Sequence, residues 1–181
     1  MGPLLRLVRN AATALALTAG ALSACSGGAP TPSPAVVHAT EAPTFGTSAD
    51  TWPAATVRLE DGDGTDHVVA VRVAEEPDHR RQGLMGVEEI RPGTGMLFLW
   101  DGSERDGGFW MKDTLVPLDI AYIRAGEIVD IQRMEPCVGY GSVSECPSYP
   151  PAAPYDTALE VPADWFGDQG IAVGATASVA D

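Results

Sequence analysis

From residue 55 onward, apolar and polar positions alternate in short runs broken by turn-forming residues. "ATVRLE" (55–60) and "DHVVAVRVAE" (66–75) are β-branched with a period of two, and the turn-rich "DGDGTD" between them predicts a hairpin. Pro77 and Asp78 suit a helix start, and "DHRRQGLMG" predicts a short helix closed by Gly86, with Gly83 as a costly internal residue. "GMLFLW" (95–100), "GFWMK" (108–112), "LDIAYI" (118–123), "EIVDIQRM" (127–134) and "TALEV" (157–161) read as further strands. "PADWFGDQG" offers one helical turn with Pro162 near its start, and "IAVGATASVA" supplies a closing strand. About eight short strands at spacings near ten residues, with only two helical pieces, predict a mainly β domain: a compact β-sandwich or barrel.

Before residue 55 the pattern changes twice. Arg6 and Arg9 precede the apolar run "AATALALTAGALSA", which small residues close, as in a secretory signal; the run is shorter than the about 20 residues a spanning helix needs. Leu22-Ser23-Ala24-Cys25 resembles the bacterial lipobox, in which the cysteine thiol is diacylated and becomes the new N-terminus. Residues 26–54 carry Pro, Ala, Ser and Thr without helical or strand period, so they predict a tether in which His38 and Phe45 are stray residues. The expected organisation is a signal peptide over 1–24, a lipid-anchored tether over 25–54 and a β domain over 55–181. Export to the outer face of the cell membrane, held there by lipid on Cys25, follows from it.

The formal charge is −14, and loss of Arg6 and Arg9 with the leader makes it two units more negative. Such acidity argues against nucleic acid and against an anionic membrane surface as partners. Two cysteines remain after Cys25, and export places Cys137 and Cys146 where disulfides persist. They bracket the short loop "CVGYGSVSEC", so the pair reads as a structural bridge; no C-x-x-C spacing or neighbouring histidine supports a redox or metal role.

"RRQGLMG", "GMLFLW", "FWMKDTLVPLDIAYI", "MEPC" with a second cysteine, and "ALEVPADW" followed by "GI" and "VG" occur in the order that characterises DUF192 (UPF0127) proteins, and the domain resembles that family over nearly all of 55–181. The resemblance implies a jelly-roll-like, mainly β fold and no known activity. Two positions depart from the family pattern: Asp113 stands where asparagine is common, and Ala175 where an acid is usual.

Candidate chemistry centres on "GGFWMKDTLVPLDIAYI", which holds the sole lysine, Lys112. On a continuous strand Trp110 and Lys112 would share one face, and Asp119, after Pro117, could turn back toward Lys112. Two readings stand. Trp110, Lys112 and Asp119, with Arg81 at the edge, could floor a shallow pocket for a small polar or carbohydrate-like ligand. Alternatively Lys112 pairs with Asp119 or Asp113 to pin a corner between strands, which the residues favour.

Catalysis has thin support. His67 and His79 lie in no G-x-S-x-G, H-E-x-x-H or Cys-His context and read as surface residues; Asp113, Asp119 and Glu160 could supply carboxylates for glycoside chemistry, but no spacing selects a pair. Met85, Met96, Met111 and Met134 could ligate Cu(I), yet each sits in an apolar run where methionine fills core gaps. No cofactor or metal is therefore expected. The resulting expectation is a non-catalytic binding or accessory module that meets a small polar or carbohydrate ligand, or an envelope protein through loops such as "DGSERDGG". An enzyme acting on envelope glycans is the alternative.

Overall fold

A computed structural model describes residues 41–180. Cys25, His38 and the expected signal peptide and tether up to residue 40 lie outside the described residues. The elements are β1 (Ala54–Glu60), β2 (Asp66–Ala74), α1 (Pro77–Gln82), β3 (Thr94–Leu99), β4 (Phe109–Trp110), β5 (Leu118–Arg124), β6 (Glu127–Met134), β7 (Ser148–Tyr149), β8 (Thr157–Pro162), α2 (Trp165–Asp168) and β9 (Thr176–Ala180). The fold is mainly β, as expected. Seven strands close into a barrel in the order β1-β2-β3-β8-β5-β6-β9, and β4 and β7 form a separate two-stranded ribbon.

The predicted hairpin forms with Glu60 opposite Asp66, its turn tied by the Asp61 carboxylate, which accepts the N–H groups of Asp63 and Thr65, both at 2.9 Å. The β5–β6 hairpin turns on Ala125 and Gly126, both at positive φ (49° and 81°), the geometry a tight two-residue loop requires. β2 and β3 run parallel, so their connection carries α1 across the outside of the barrel.

Alternation divides the apolar residues into two cores. Val57, Leu59, Val69, Val71, Leu97, Ala121, Leu159 and Val161 join Trp165 and Phe166 in the cluster inside the barrel. Met96, Phe98, Leu118, Ile120, Tyr122, Met134 and Ala158 point outward from β3, β5, β6 and β8, where Leu84, Val87, Met111, Cys137 and Tyr155 cover them. Strands buried on both faces need apolar residues at successive positions, which is why "GMLFLW" and "LDIAYI" read as continuous runs. Three of the four methionines are fully buried in this outer core.

Three expectations need correction. The helix ends at Gly83, not Gly86: Gly83 lies at φ +50° and donates its N–H to the His79 carbonyl at 2.8 Å. The supposed interior glycine is thus the terminator, and a Cβ there would meet the Phe98 ring at 3.4 Å. Second, the segment before β1 is not all tether. Phe45, Ala49 and Trp52 are buried in the outer core, at the i, i+4, i+7 spacing of one helical face around the 3-10 turn Ser48–Thr51. Asp50 accepts the Phe45 N–H at 2.6 Å, and the Arg72 guanidinium donates to the carbonyls of Pro43 (2.9 Å) and Trp52 (2.8 Å). Third, His79 is no free surface residue, since its ring stacks on Trp52 at 4.2 Å between centroids. His67 is also shielded, its Nε2 lying 3.3 Å from the Asp61 carboxylate.

Cys137 and Cys146 are bridged, with their Cα atoms 5.9 Å apart. A loop of this length gains about 2.5 to 3 kcal/mol from closure in the unfolded chain. The bridge holds the loop that carries β7 toward β4. That ribbon is tight: a Cβ on Gly108 would fall 2.6 Å from Ser148 Oγ and 2.7 Å from the Pro150 nitrogen, so only glycine fits.

Candidate functional site

The block from Gly107 to Ile123 is partly a corner and partly the wall of a site. The strand stops at Trp110; Thr114 donates its N–H to the Met111 carbonyl at 3.0 Å, and Asp113 adopts φ +55°. Asparagine and aspartate tolerate this left-handed backbone better than other side chains with a Cβ, which accounts physically for Asp113 at a position where the family pattern has asparagine. Asp113 ties the corner from both sides, donating its N–H to the Cys137 carbonyl at 2.8 Å and accepting that of Gly86 at 2.9 Å. Lys112, with its side chain 22% exposed, pairs with the Asp113 carboxylate.

Asp119 goes elsewhere. It is only 5% exposed and shares its strand face with Ala121 and Ile123, on the barrel's inner side, whereas Leu118, Ile120 and Tyr122 face the outer core. Its carboxylate accepts the backbone N–H groups of Asp164 and Phe166 at the start of α2, and burial outweighs those bonds to push its pKa up. Lys112 and Asp119 therefore do not converge: Lys112 is tied into the corner by its pair with Asp113, and Asp119 is tied to the α2 turn.

Arg81 and Trp110 do meet, across a cleft of about 520 Å³ between α1 and the ribbon, over the outer face of β3 and β8. Trp110 is 39% exposed at the wall. Trp100 lies between the two sides, with the Arg105 guanidinium 4.7 Å and that of Arg80 5.5 Å from its ring centroid, at cation–π distance. Arg80 is committed to the Leu99 carbonyl at 2.9 Å, and Arg81 to Asp78 at 2.6 Å. Arg105 is held through its backbone, which exchanges hydrogen bonds with Tyr155 at 2.8 and 3.0 Å, while its buried Nε meets no acceptor among the described residues. Tyr155 packs against Trp100 and donates its hydroxyl to the Gly107 carbonyl at 2.8 Å; burial pushes its phenol up to about 12, so it stays a donor.

Glu160 also lines this cleft. It points outward from β8, on the same face as Ala158, and is 4% exposed; no hydrogen bond holds its carboxyl among the described residues. Burial alone pushes its pKa up to about 8. A carboxyl buried without a partner is costly, and a strongly perturbed acid in a cleft is a candidate for a functional role. The strand beside it approaches the β8 backbone closely: a Cβ on Gly95 would collide with the Glu160 carbonyl oxygen, which lies 2.1 Å from where it would stand. Sequence reasoning placed Glu160 among three unselected carboxylates and passed over Trp100, Arg105 and Tyr155. The available signal was an acid inside "TALEV", a strand otherwise apolar at every buried position.

Fold and cleft together define a small closed β-barrel with a binding-type concavity built outside its wall. The chain belongs to the DUF192 family, described as "Uncharacterized ACR", whose pattern matches residues 58–179. A Sinorhizobium meliloti 1021 protein provisionally described as a transcription regulator is similar in structure, with a TM-score of 0.62 and 29% identity over 71% of this chain and 95% of that one. A protein of unknown function from Novosphingobium aromaticivorans superposes with a TM-score of 0.60 and 23% identity, over 75% of this chain and 99% of that one. No curated protein matches the chain.

Proposed function

We propose that this protein is an exported, lipid-anchored binding domain that holds a small polar ligand in the cleft between α1 and β4. The observation that carries the reading is Glu160: an unpartnered carboxyl at a cleft walled by tryptophan, tyrosine and arginine. Few convergent polar groups in an otherwise aromatic concavity are the usual makeup of a small-molecule site. The Sinorhizobium relative's description as a transcription regulator is not extended to this chain, because a formal charge of −14 repels a phosphate backbone.

Gly107 offers a clean test, since a Cβ there meets nothing within 4 Å and its φ is not positive. Gly107→Trp should block the cleft while leaving the fold intact. In an NMR screen of small polar compounds and saccharides, ligands of the wild type should lose binding in Gly107→Trp; hits that bind both proteins equally would refute the cleft as the site.

Anchorage rests on the charged leader, its apolar run and Cys25. Cells fed labelled palmitate should label the wild-type protein and leave Cys25→Ser unlabelled. Equal labelling of the two, or labelling of neither, would remove the anchor from the proposal.

A second reading draws on the same carboxyl. A proton held until about pH 8 suits a general acid, so hydrolysis of an envelope glycan follows as the alternative activity. Glycoside cleavage needs a second carboxyl, and the other acid lining the cleft is the exposed Asp106. Glycan products that form with wild type and vanish in both Glu160→Gln and Asp106→Asn would favour this reading over simple binding.

A further inference from the structure

The cleft carries two unmet groups of opposite kind. Among the described residues Glu160 has no hydrogen-bond partner at the β8 wall, and the Arg105 Nε–H, on the segment leading to β4, has no acceptor. Burial pushes the Glu160 carboxyl up, and no ion pair joins it to a guanidinium among the described residues. The acid and the arginine are thus separate poles of one concavity, and the walls between them are the rings of Phe98, Phe109 and Tyr155. Aromatic walls take an apolar body, while the two poles ask for a donor at one end and an acceptor at the other.

We infer that the cleft selects a small amphoteric ligand, placing an amine against Glu160, which passes its proton to that amine to leave an ammonium–carboxylate pair, and a carboxylate against Arg105, with an apolar spacer along the aromatic walls. This deepens the proposal that the cleft is the binding site and rests on it. Each end forms a charge-assisted hydrogen bond, about twice as strong as a neutral one. Amino-acid-like and short peptide-like compounds have this form; neutral sugars do not.

The test uses the full chain in detergent and a matched set of probes: ω-amino acids of about four to eight carbons, the carboxylic acids lacking the amine, and the alkylamines lacking the carboxylate. Titration calorimetry should show one ω-amino acid binding at least about tenfold more tightly than either of its truncated analogues. Glu160→Gln should erase the advantage over the carboxylic acid, and Arg105→Gln the advantage over the alkylamine, with both variants retaining the wild-type circular dichroism spectrum. An amine that adds nothing in wild type, an advantage that survives Glu160→Gln, or no binding by any ω-amino acid would overturn the inference. Saccharides or carboxylic acids that bind the wild type but not Gly107→Trp would, in that event, preserve the cleft as a site. If Gly107→Trp binds the whole series unchanged, both proposals fail.

Discussion

Replacing Glu160 with glutamine is expected to remove a steep pH dependence of stability. In the unfolded chain this carboxyl ionises near its ordinary 4.5, whereas in the folded barrel it keeps its proton until about 8. Between those values the native state binds the extra proton, so wild-type stability falls as pH rises, by about 1.4 kcal/mol per pH unit at the steepest. The contribution is complete below the unfolded value, is lost progressively through the window, and changes no further above about 8. Accumulated over the window it reaches several kcal/mol, a large part of the stability of a small domain. Glutamine has no proton to lose. Urea denaturation at pH 5 and pH 8 should therefore give similar stabilities for wild type and Glu160→Gln at the lower pH and a clear advantage for the variant at the higher. Asp119 is shifted in the same direction but is present in both proteins, so the difference between them isolates Glu160. Parallel profiles for the two proteins would mean that Glu160 is not held in a desolvated site.

Trp52→Ala is expected to cost about 3 to 5 kcal/mol, the range for removing a large aromatic from a packed core. Its indole is 6% exposed, stacks on His79, and sits beside Phe45 and Ala49 in the outer core. The same substitution in a free tether would cost nothing measurable. Denaturant midpoints with unchanged slopes would establish the loss; a change below about 1 kcal/mol would mean that the segment before β1 does not pack on the barrel.

The parts of this structure legible in the sequence are those where local pattern and tertiary environment agree. β1 and the hairpin partner β2 alternate with period two and enclose an Asp-Gly turn, so both the pairing and its approximate register could be read. The Cys137–Cys146 bridge followed from the short spacing of the pair and from the export that the leader leads one to expect. Asp119 was misplaced for a physical reason: β5 is buried on both faces, so its sequence lacks the polar–apolar alternation that would assign Asp119 to the inner side. Lys112 was misplaced because the strand was extended two residues past Trp110, through a corner created by tertiary bonds to Cys137 and Gly86. Phe45, Ala49 and Trp52 were hidden by the prolines, serines and threonines around them. The cleft itself joins residues from α1, β3, β4, β8 and the loops beside them, a conjunction that no local pattern encodes.

The seam of the barrel joins β1 to β9, pairing Thr56 with Ala180 and Glu60 with Thr176 across most of the length of the domain. Until β9 arrives, β1 has an open edge and the cylinder cannot shut, so closure is the most non-local step in assembly and entropically among the slowest. A chain that emerges N-terminus first therefore keeps the β1 edge open until β9 has followed it.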